Sequence, residues 1–208
     1  MRRNAIRCLG LCGSLRSASL NAALLRTVAQ LAPAPYAVQV CGQMSLLPLF
    51  NPDLESAPPA AVDLLRADVA QADVLLIASP EYAHGVSSVI KNALDWLVSF
   101  ESFVDKPVMV LNASPRAHHA DDALRETLRT MSARLIEAQS LVIPLLGVVR
   151  DEAAMPASSE VRIAIQRLFA TLDRHFARVD QTVSALSAAG PVATGTPGSA
   201  PHSDHDPS

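Results

Sequence analysis

Short apolar runs, too brief for helices, recur along this chain and constrain its fold more than any other feature. Residues 74–78 (Val-Leu-Leu-Ile-Ala) are uninterrupted, and residues 108–111 (Val-Met-Val-Leu) repeat the pattern. Similar runs occupy residues 6–12, 37–41 and 141–143. Continuous apolar runs of this length indicate strands that are covered on both faces. We therefore predict five buried strands.

Segments with helical patterning separate these runs. They are residues 20–31, 60–72, 87–98, 121–136 and 158–186. Alternation of strands and helices predicts a parallel sheet with right-handed crossovers and helices on both faces. For five strands, the simplest topology is an α/β, flavodoxin-like three-layer sandwich with the strand order 2-1-3-4-5. Ligands of such folds bind at the carboxyl ends of strands 1 and 3.

The size of the chain and its charge narrow the class of protein further. The 208 residues fit one domain, which we place at residues 1–187, and the tail at 188–208 is predicted to be disordered because large apolar side chains are scarce there. A net charge of −3 without a basic stripe argues against nucleic acid as a partner. We also find no membrane-length apolar stretch and no export signal, so we expect a cytoplasmic protein.

Two further features suggest structural roles. The cysteines Cys8, Cys12 and Cys41 have no metal-site or redox spacing, and we predict that they are core thiols. The proline-rich residues 45–59 cannot form a continuous helix and are predicted to be an ordered loop or a lid.

A donor-rich loop follows the first strand. Residues 13–21 read Gly-Ser-Leu-Arg-Ser-Ala-Ser-Leu-Asn and lead into the first helix. Free backbone N–H groups at a helix N-terminus, together with Arg16 and the Ser and Asn side chains, suit an anion. A capped helix with a surface arginine explains the same residues equally well. Loops 79–88 and 112–120 lie at the same end of the predicted sheet.

The motifs on these loops resemble those of the NADPH-dependent FMN reductase family, which has a flavodoxin-like fold and includes quinone, chromate and azo-dye reductases. The resemblance covers about residues 6–146. It rests on Gly-Ser-Leu-Arg-x-x-Ser-x-Asn at 13–21, Pro-Glu-Tyr at 80–82 and Lys-Asn-Ala-x-Asp-Trp at 91–96. Ala83 and Ser87-Ser88 depart from the usual family pattern, and Ser87 or Ser88 could cap the following helix.

The resemblance implies a cofactor, a donor and an acceptor. FMN would be the cofactor, with NADPH or NADH as the hydride donor and a quinone, azo compound, metal oxyanion or free flavin as a small acceptor. The chain would form a homodimer or homotetramer, with no catalytic nucleophile or base and no metal. The implied cofactor-binding residues are Ser14, Arg16, Ser19, Leu20, Asn21, Pro80, Glu81, Tyr82 and Ser114.

Other hypotheses remain for the whole chain and for single residues. A redox-quiet FMN-binding electron carrier or sensor is the alternative, although such carriers are usually more acidic than this chain. We expect Lys91 and Asp95 to form a surface ion pair, and Trp96 to lie in the core or at a subunit contact. We expect His84 and the pair His118-His119 to be solvated loop residues. For Arg116, contact with pyridine-nucleotide phosphates is the less favoured of two interpretations.

Overall fold

A parallel sheet forms the centre of the computed structural model, which describes residues 5–112, 118–136 and 153–188. In chain order the strands and α-helices are β1 (Ile6–Cys12), α1 (Leu20–Gln30), β2 (Tyr36–Val40), α2 (Ala60–Gln71), β3 (Val74–Ala78), β4 (Glu81–Tyr82), β5 (Gly85–Val86), α3 (Ser88–Asp95), β6 (Pro107–Leu111), α4 (His118–Thr130), β7 (Arg134–Leu135) and α5 (Ser159–Ala188). Short 3-10 helices lie at Pro52–Leu54, Glu101–Phe103 and Met155–Ala157.

The strand order of the sheet confirms the predicted topology. The order is β2-β1-β3-β6-β7, and all four pairings are parallel. Because β4 and β5 form a separate antiparallel hairpin, this order is the predicted 2-1-3-4-5. β3 is central: its residue Leu76 is aligned with Gly10 of β1 on one side and with Met109 of β6 on the other.

Helices cover both faces of the sheet and create two cores. One core contains α1 and α5, and the other contains α2, α3 and α4. Along β3, Leu76 belongs to the first core, whereas Leu75 and Ile77 belong to the second. This alternation follows from the pleat, which points successive side chains to opposite faces. The structure is therefore the predicted α/β sandwich with a flavodoxin-like fold.

The end of α4 corrects the predicted helix at residues 121–136. α4 ends at Thr130, and Ser132 takes a left-handed conformation with φ of 60°. The chain then enters β7, and Ile136, directly after this strand, donates its N–H to the Val108 carbonyl at 2.8 Å. Leu135 continued the helical apolar spacing but packs against the core from a strand, so the periodicity was misleading. The predicted strand at 141–143 lies outside the described residues.

The segment at residues 45–59 is an ordered loop fastened to α3. Pro48 accepts hydrogen bonds at 2.9 Å from Asn92 Nδ2 and from Trp96 Nε1. Phe50 donates its N–H to Asn92 Oδ1 at 2.8 Å, and its ring meets the Trp96 ring edge-on. Trp96 is 0% exposed, so its side chain is core, and the alternative of a subunit contact is wrong.

The three cysteine side chains confirm their prediction as core thiols. Cys8, Cys12 and Cys41 are free and buried. Burial raises the pKa of the Cys8 thiol to about 12, with a smaller contribution from Asp73. A thiol of such high pKa is protonated and unreactive at neutral pH.

None of the described helices has the length and apolar character needed to span a membrane. The longest, α5, contains 30 residues. It exposes Arg162, Arg167 and Arg174 along its outer side while its inner side packs on the sheet. This division is that of an amphipathic helix in a globular domain.

Candidate functional site

The loops after β1 and β3 touch each other at Gly13. Gly13 donates its N–H to the Ala78 carbonyl at 2.8 Å, which extends the sheet by one residue. A Cβ atom at this position would lie 2.5 Å from Ser79 Oγ and 2.7 Å from Ser87 Oγ. Only glycine therefore permits this approach. The two loops predicted to share a site are in direct contact.

Ser19 builds the start of α1. It is buried, has extended backbone angles, and its Oγ accepts a hydrogen bond from Ala22 N at 3.3 Å. This is N-cap geometry, which leaves the hydroxyl hydrogen free to donate elsewhere. The first turn of α1 carries no acidic residue that would repel an anion. The helix start thus has the polarity that an anionic group requires.

Asn21 supplies the strongest sign of a missing partner. The residue is only 9% exposed, and Asn21 Oδ1 has no hydrogen-bond partner among the described residues. Buried polar atoms are nearly always paired, so this amide oxygen points to a group that the described part of the chain does not provide. A 180° turn of the amide exchanges its oxygen and nitrogen, and the same position then offers a donor.

Arg16 completes the donor set of this loop. Its side chain is exposed and forms no ion pair within the described part of the chain. Ser14 and Leu20 are half-buried on either side of it. Hydroxyl, amide and guanidinium donors at a helix N-terminus match the chemistry of a phosphate dianion. The residues present therefore fit the phosphate end of FMN.

The loop after β3 forms a hairpin that the sequence did not predict. β4 and β5 pair through Glu81 with Val86 and Tyr82 with Gly85. The two turn residues, Ala83 and His84, have φ of 48° and 58°. Two left-handed residues define a type I′ turn, for which Asn-Gly is the usual sequence signal. Ala-His lacks that signal, and the turn stores roughly 1 kcal/mol or more of backbone strain per residue.

The carboxylate of Glu81 is held by the protein itself. Oε2 accepts a hydrogen bond from Ala120 N of α4 at 2.9 Å, and Oε1 lies 3.1 Å from His84 Nδ1. The Ala120 N–H group, aided by His84 and His119, holds the pKa of the Glu81 carboxyl below its ordinary value. Glu81 is thus an ionised link between the hairpin and α4.

Three histidines adjoin this link, and the structure corrects one prediction about them. His118 and His119 form the first turn of α4 and are not loop residues. The rings of His84 and His119 meet edge-on at 4.6 Å, and those of His118 and His119 lie 4.1 Å apart. Among the described residues, no group of three or more His, Cys, Asp or Glu side chains has metal-binding geometry.

The remaining predicted residues take simpler positions. Pro80 is half-buried and the Tyr82 side chain is 54% exposed at the hairpin. Lys91 and Asp95 form the predicted surface ion pair. Ser114 and Arg116 lie outside the described residues.

Ser87 confirms the prediction that a serine caps α3. It has extended backbone angles, and its Oγ accepts a hydrogen bond from Ile90 N. The same Oγ also lies 3.2 Å from Ser79 Oγ. Sequence alone did not indicate this serine pair, which links the two ends of the hairpin loop.

The parallel sheet, the donor-rich loop at α1 and the adjoining hairpin define a flavodoxin-like protein with a candidate site for a phosphorylated cofactor. The model of the NADPH-dependent FMN reductase family matches residues 6–145. The chain belongs to this family, which consists of flavin-dependent oxidoreductases.

Individual relatives agree with this assignment. An NAD(P)H-dependent FMN reductase of Pseudomonas aeruginosa is 38% identical over 168 residues, which are 78% of this chain and 90% of that protein. A quinone reductase of Escherichia coli K12 is 36% identical over 108 residues, 50% of this chain and 57% of its own length. The chain thus spans less than two thirds of the length of that quinone reductase. It likewise spans 59% of the length of a probable NADPH:quinone oxidoreductase of Oryza sativa subsp. japonica.

A solved structure agrees in fold. FerB, a flavoenzyme NAD(P)H:(acceptor) oxidoreductase from Paracoccus denitrificans, superimposes with a TM-score of 0.70 at 23% identity. The superposition covers 81% of this chain and 96% of FerB. At this level of identity, the likeness concerns the architecture alone.

Proposed function

We propose that this protein is an FMN-dependent NAD(P)H oxidoreductase that transfers hydride from NADPH or NADH to bound FMN and then electrons to a small acceptor. FMN would supply an N5 atom that accepts hydride from the donor and passes electrons on. The observation that carries the proposal is the buried Asn21 Oδ1 atom, which has no hydrogen-bond partner among the described residues, beside the Ser19 cap at the start of α1. Pyridine nucleotides are cytoplasmic reductants, and we propose that location for the reaction.

Residues of the α1 loop would hold the phosphate end of the cofactor. Ser14 and Ser19 would donate hydroxyl hydrogen bonds, Asn21 would donate from its amide, and Arg16 would provide the positive charge. Leu20 would line the same loop, and we retain Ser114 in the proposed set. Contact between the loops at Gly13 places this corner against the hairpin loop.

The hairpin would contact the isoalloxazine ring. We propose that the main chain of Pro80, Glu81 and Tyr82 lies along it, with backbone N–H groups facing its polar edge. Fixed dipoles there would stabilise the negative charge that the ring acquires on reduction. None of these steps requires a protein nucleophile or general base.

The acceptor would bind at an open surface. Tyr82 is 54% exposed and the His84 side chain 77% exposed at the hairpin, so the wall beside the proposed ring site is accessible. Such an accessible face would admit quinones, azo compounds, metal oxyanions or free flavin. The names of the relatives support a quinone as the first acceptor to test.

We further propose that the chain forms a homodimer or homotetramer. The ordered loop at 45–59 and the end of α3 present exposed apolar side chains at Leu46, Leu49 and Val98, and Leu49 is 83% exposed. Large exposed apolar side chains are typical of protein interfaces. The other surfaces of this loop are already fixed to α3, which leaves it a rigid platform for a second copy.

The direct test is purification, an absorbance scan and an assay of NADPH oxidation with a quinone. We expect flavin absorbance bands to stay with the protein after excess FMN is removed, and, in the absence of oxygen, steady NADPH oxidation to require both FMN and the quinone. Binding of FMN without any oxidation of NADPH or NADH would instead indicate a carrier or sensor. A protein that does not bind FMN would contradict both functions.

A further inference from the structure

The hairpin of β4 and β5 holds a strained conformation with little support of its own. Each strand contains two residues, and the turn between them places Ala83 and His84 in the left-handed region. Neither residue is a glycine, so the Cβ atoms oppose this conformation. Contacts from outside the hairpin must therefore maintain it.

The Glu81 carboxylate joins the hairpin to such an outside group, Ala120 of α4, and also bonds the turn itself. One oxygen accepts the Ala120 N–H bond from α4 at 2.9 Å, and the other lies 3.1 Å from the Nδ1 atom of His84 in the turn. The Glu81 side chain is 13% exposed, compared with 77% for His84. A largely buried carboxylate thus joins the strained turn to the start of a helix of the main domain.

The ring of His84 makes a second connection to α4. It meets the His119 ring edge-on at 4.6 Å, and His119 in turn stacks on His118. Asp121, a nearby acidic residue on α4, forms an ion pair with Arg125 at 2.7 Å. Glu81 is the carboxylate that bonds His84. The turn is therefore attached to α4 through Glu81 directly and through His84.

We propose that Glu81 is a positioning residue, which fixes the hairpin to α4 and so sets the orientation of the backbone that faces the flavin ring. This inference rests on the proposed function, because that function assigns the ring to the hairpin. The Glu81 side chain then acts on the cofactor through the hairpin and not by touching it. The Pro-Glu-Tyr sequence serves two purposes, with Pro80 and Tyr82 facing the ring and Glu81 facing the protein.

The test compares two substitutions of Glu81 with a matched control. Glu81→Ala removes both contacts, whereas Glu81→Gln keeps an amide oxygen that accepts from Ala120 N–H. Glu55→Ala is the control. Glu55 lies in the loop at 45–59, away from the hairpin sequence, and its carboxylate also accepts a hydrogen bond from a side chain, that of Ser99. We expect Glu81→Ala to weaken FMN binding about tenfold, and Glu81→Gln and Glu55→Ala to change it less than about threefold.

A second substitution separates positioning from a general loss of structure. Ala83→Gly places in the turn a residue that adopts the left-handed conformation without opposition. The hairpin then depends less on Glu81, so Glu81→Ala should cost clearly less in the Ala83→Gly background than in the wild type. Equal losses in both backgrounds would overturn the proposal.

A measurement on the flavin-free chain tests the positioning directly. Amide hydrogen exchange in residues 81–86 and in the first turn of α4 should be faster in Glu81→Ala, with exchange in β1 and β3 unchanged. His84→Ala removes an exposed side chain and should accelerate exchange in the turn alone. Exchange equal to that of the wild type in Glu81→Ala overturns the positioning role. If the wild type does not bind FMN, the proposed function is wrong. The exchange result would still stand in that case, because it is measured without flavin.

Discussion

Single residues at the start of α1 form the phosphate site that we propose. Ser19 and Asn21 are buried, Arg16 is exposed, and the Asn21 amide oxygen has no partner within the described ranges. The buried groups provide direction, while the arginine provides charge. Both contributions can be tested by substitution of these residues.

Arg16→Ala should weaken FMN binding by more than tenfold. A phosphate dianion would lose the charged, forked donor of its loop, and a tenfold loss corresponds to about 1.4 kcal/mol. Titration of FMN fluorescence quenching measures this change. Arg167→Ala, at an exposed position on α5, is the matched control and should leave the affinity unchanged. Unaltered affinity in Arg16→Ala would show that the phosphate lies elsewhere.

Gly13→Ala should lower both the stability and the FMN affinity of the protein. The new Cβ would lie 2.5 Å from Ser79 Oγ and 2.8 Å from Ile90 Cγ1, so the two loops must separate. Overpacking of this kind costs about 1–3 kcal/mol of unfolding free energy. Urea unfolding measures it, and Gly42→Ala is the control because a Cβ there meets no atom within 4 Å. Similar unfolding midpoints in the two variants would contradict the close contact.

At the scale of elements, side chains of the loop between β3 and α3 hold the hairpin in place. Ser87 caps α3 and contacts Ser79 across the loop. Glu81 links the hairpin to α4. The loop is thus fixed at both ends, which suits the role that we propose for it in holding a planar ring in one orientation.

Ser87→Ala should destabilise the protein by about 1 kcal/mol, the usual cost of losing an N-cap. The Ser79 hydroxyl would lose a partner at the same time. Thermal unfolding of the flavin-free protein is the measurement. Ser88→Ala, at an exposed position in the first turn of the same helix, should change the melting temperature little. Equal effects of the two substitutions would exclude a capping role for Ser87.

The Glu81 carboxylate also predicts a pH dependence. Its pKa in the folded chain lies below its ordinary value, chiefly because of the Ala120 N–H bond, so ionised Glu81 stabilises the native state. This stabilisation is complete above the ordinary glutamate pKa of roughly 4.3 and disappears as the pH falls through the lowered folded value. The difference in unfolding free energy between wild type and Glu81→Gln should therefore shrink below about pH 4. A constant difference down to pH 3 would contradict the ionised link.

At the scale of the whole molecule, the apolar surface near the loop at 45–59 predicts self-association. Leu49→Ser removes the most exposed large apolar side chain of the described residues, at 83% exposure. We expect light scattering after size exclusion to show a dimer or tetramer for the wild type and a lower mass for the variant. Leu64→Ser, on an exposed position of α2, is the control and should keep the wild-type mass. A monomeric wild type would contradict the oligomer proposal.

The sequence by itself indicated four strands of the sheet and the position of the candidate site. β1 and β3 have the predicted limits, because short, mainly apolar runs are typical of strands covered on both faces. The strand order followed from the alternation with helices, and that order places the loops after β1 and β3 side by side. A serine cap at Ser87 or Ser88 was also evident locally, since capping depends on a residue and the next turn alone.

Only the tertiary structure decided the features that depend on distant partners. α4 stops at Thr130 because Ser132 turns the chain and β6 offers hydrogen bonds to β7, which no helical spacing could reveal. The direction of the Glu81 carboxylate depends on Ala120, which is 39 positions away, and the tight space at Gly13 depends on the loop after β3. Periodicity records which side chains avoid water, whereas these contacts depend on where separate elements meet.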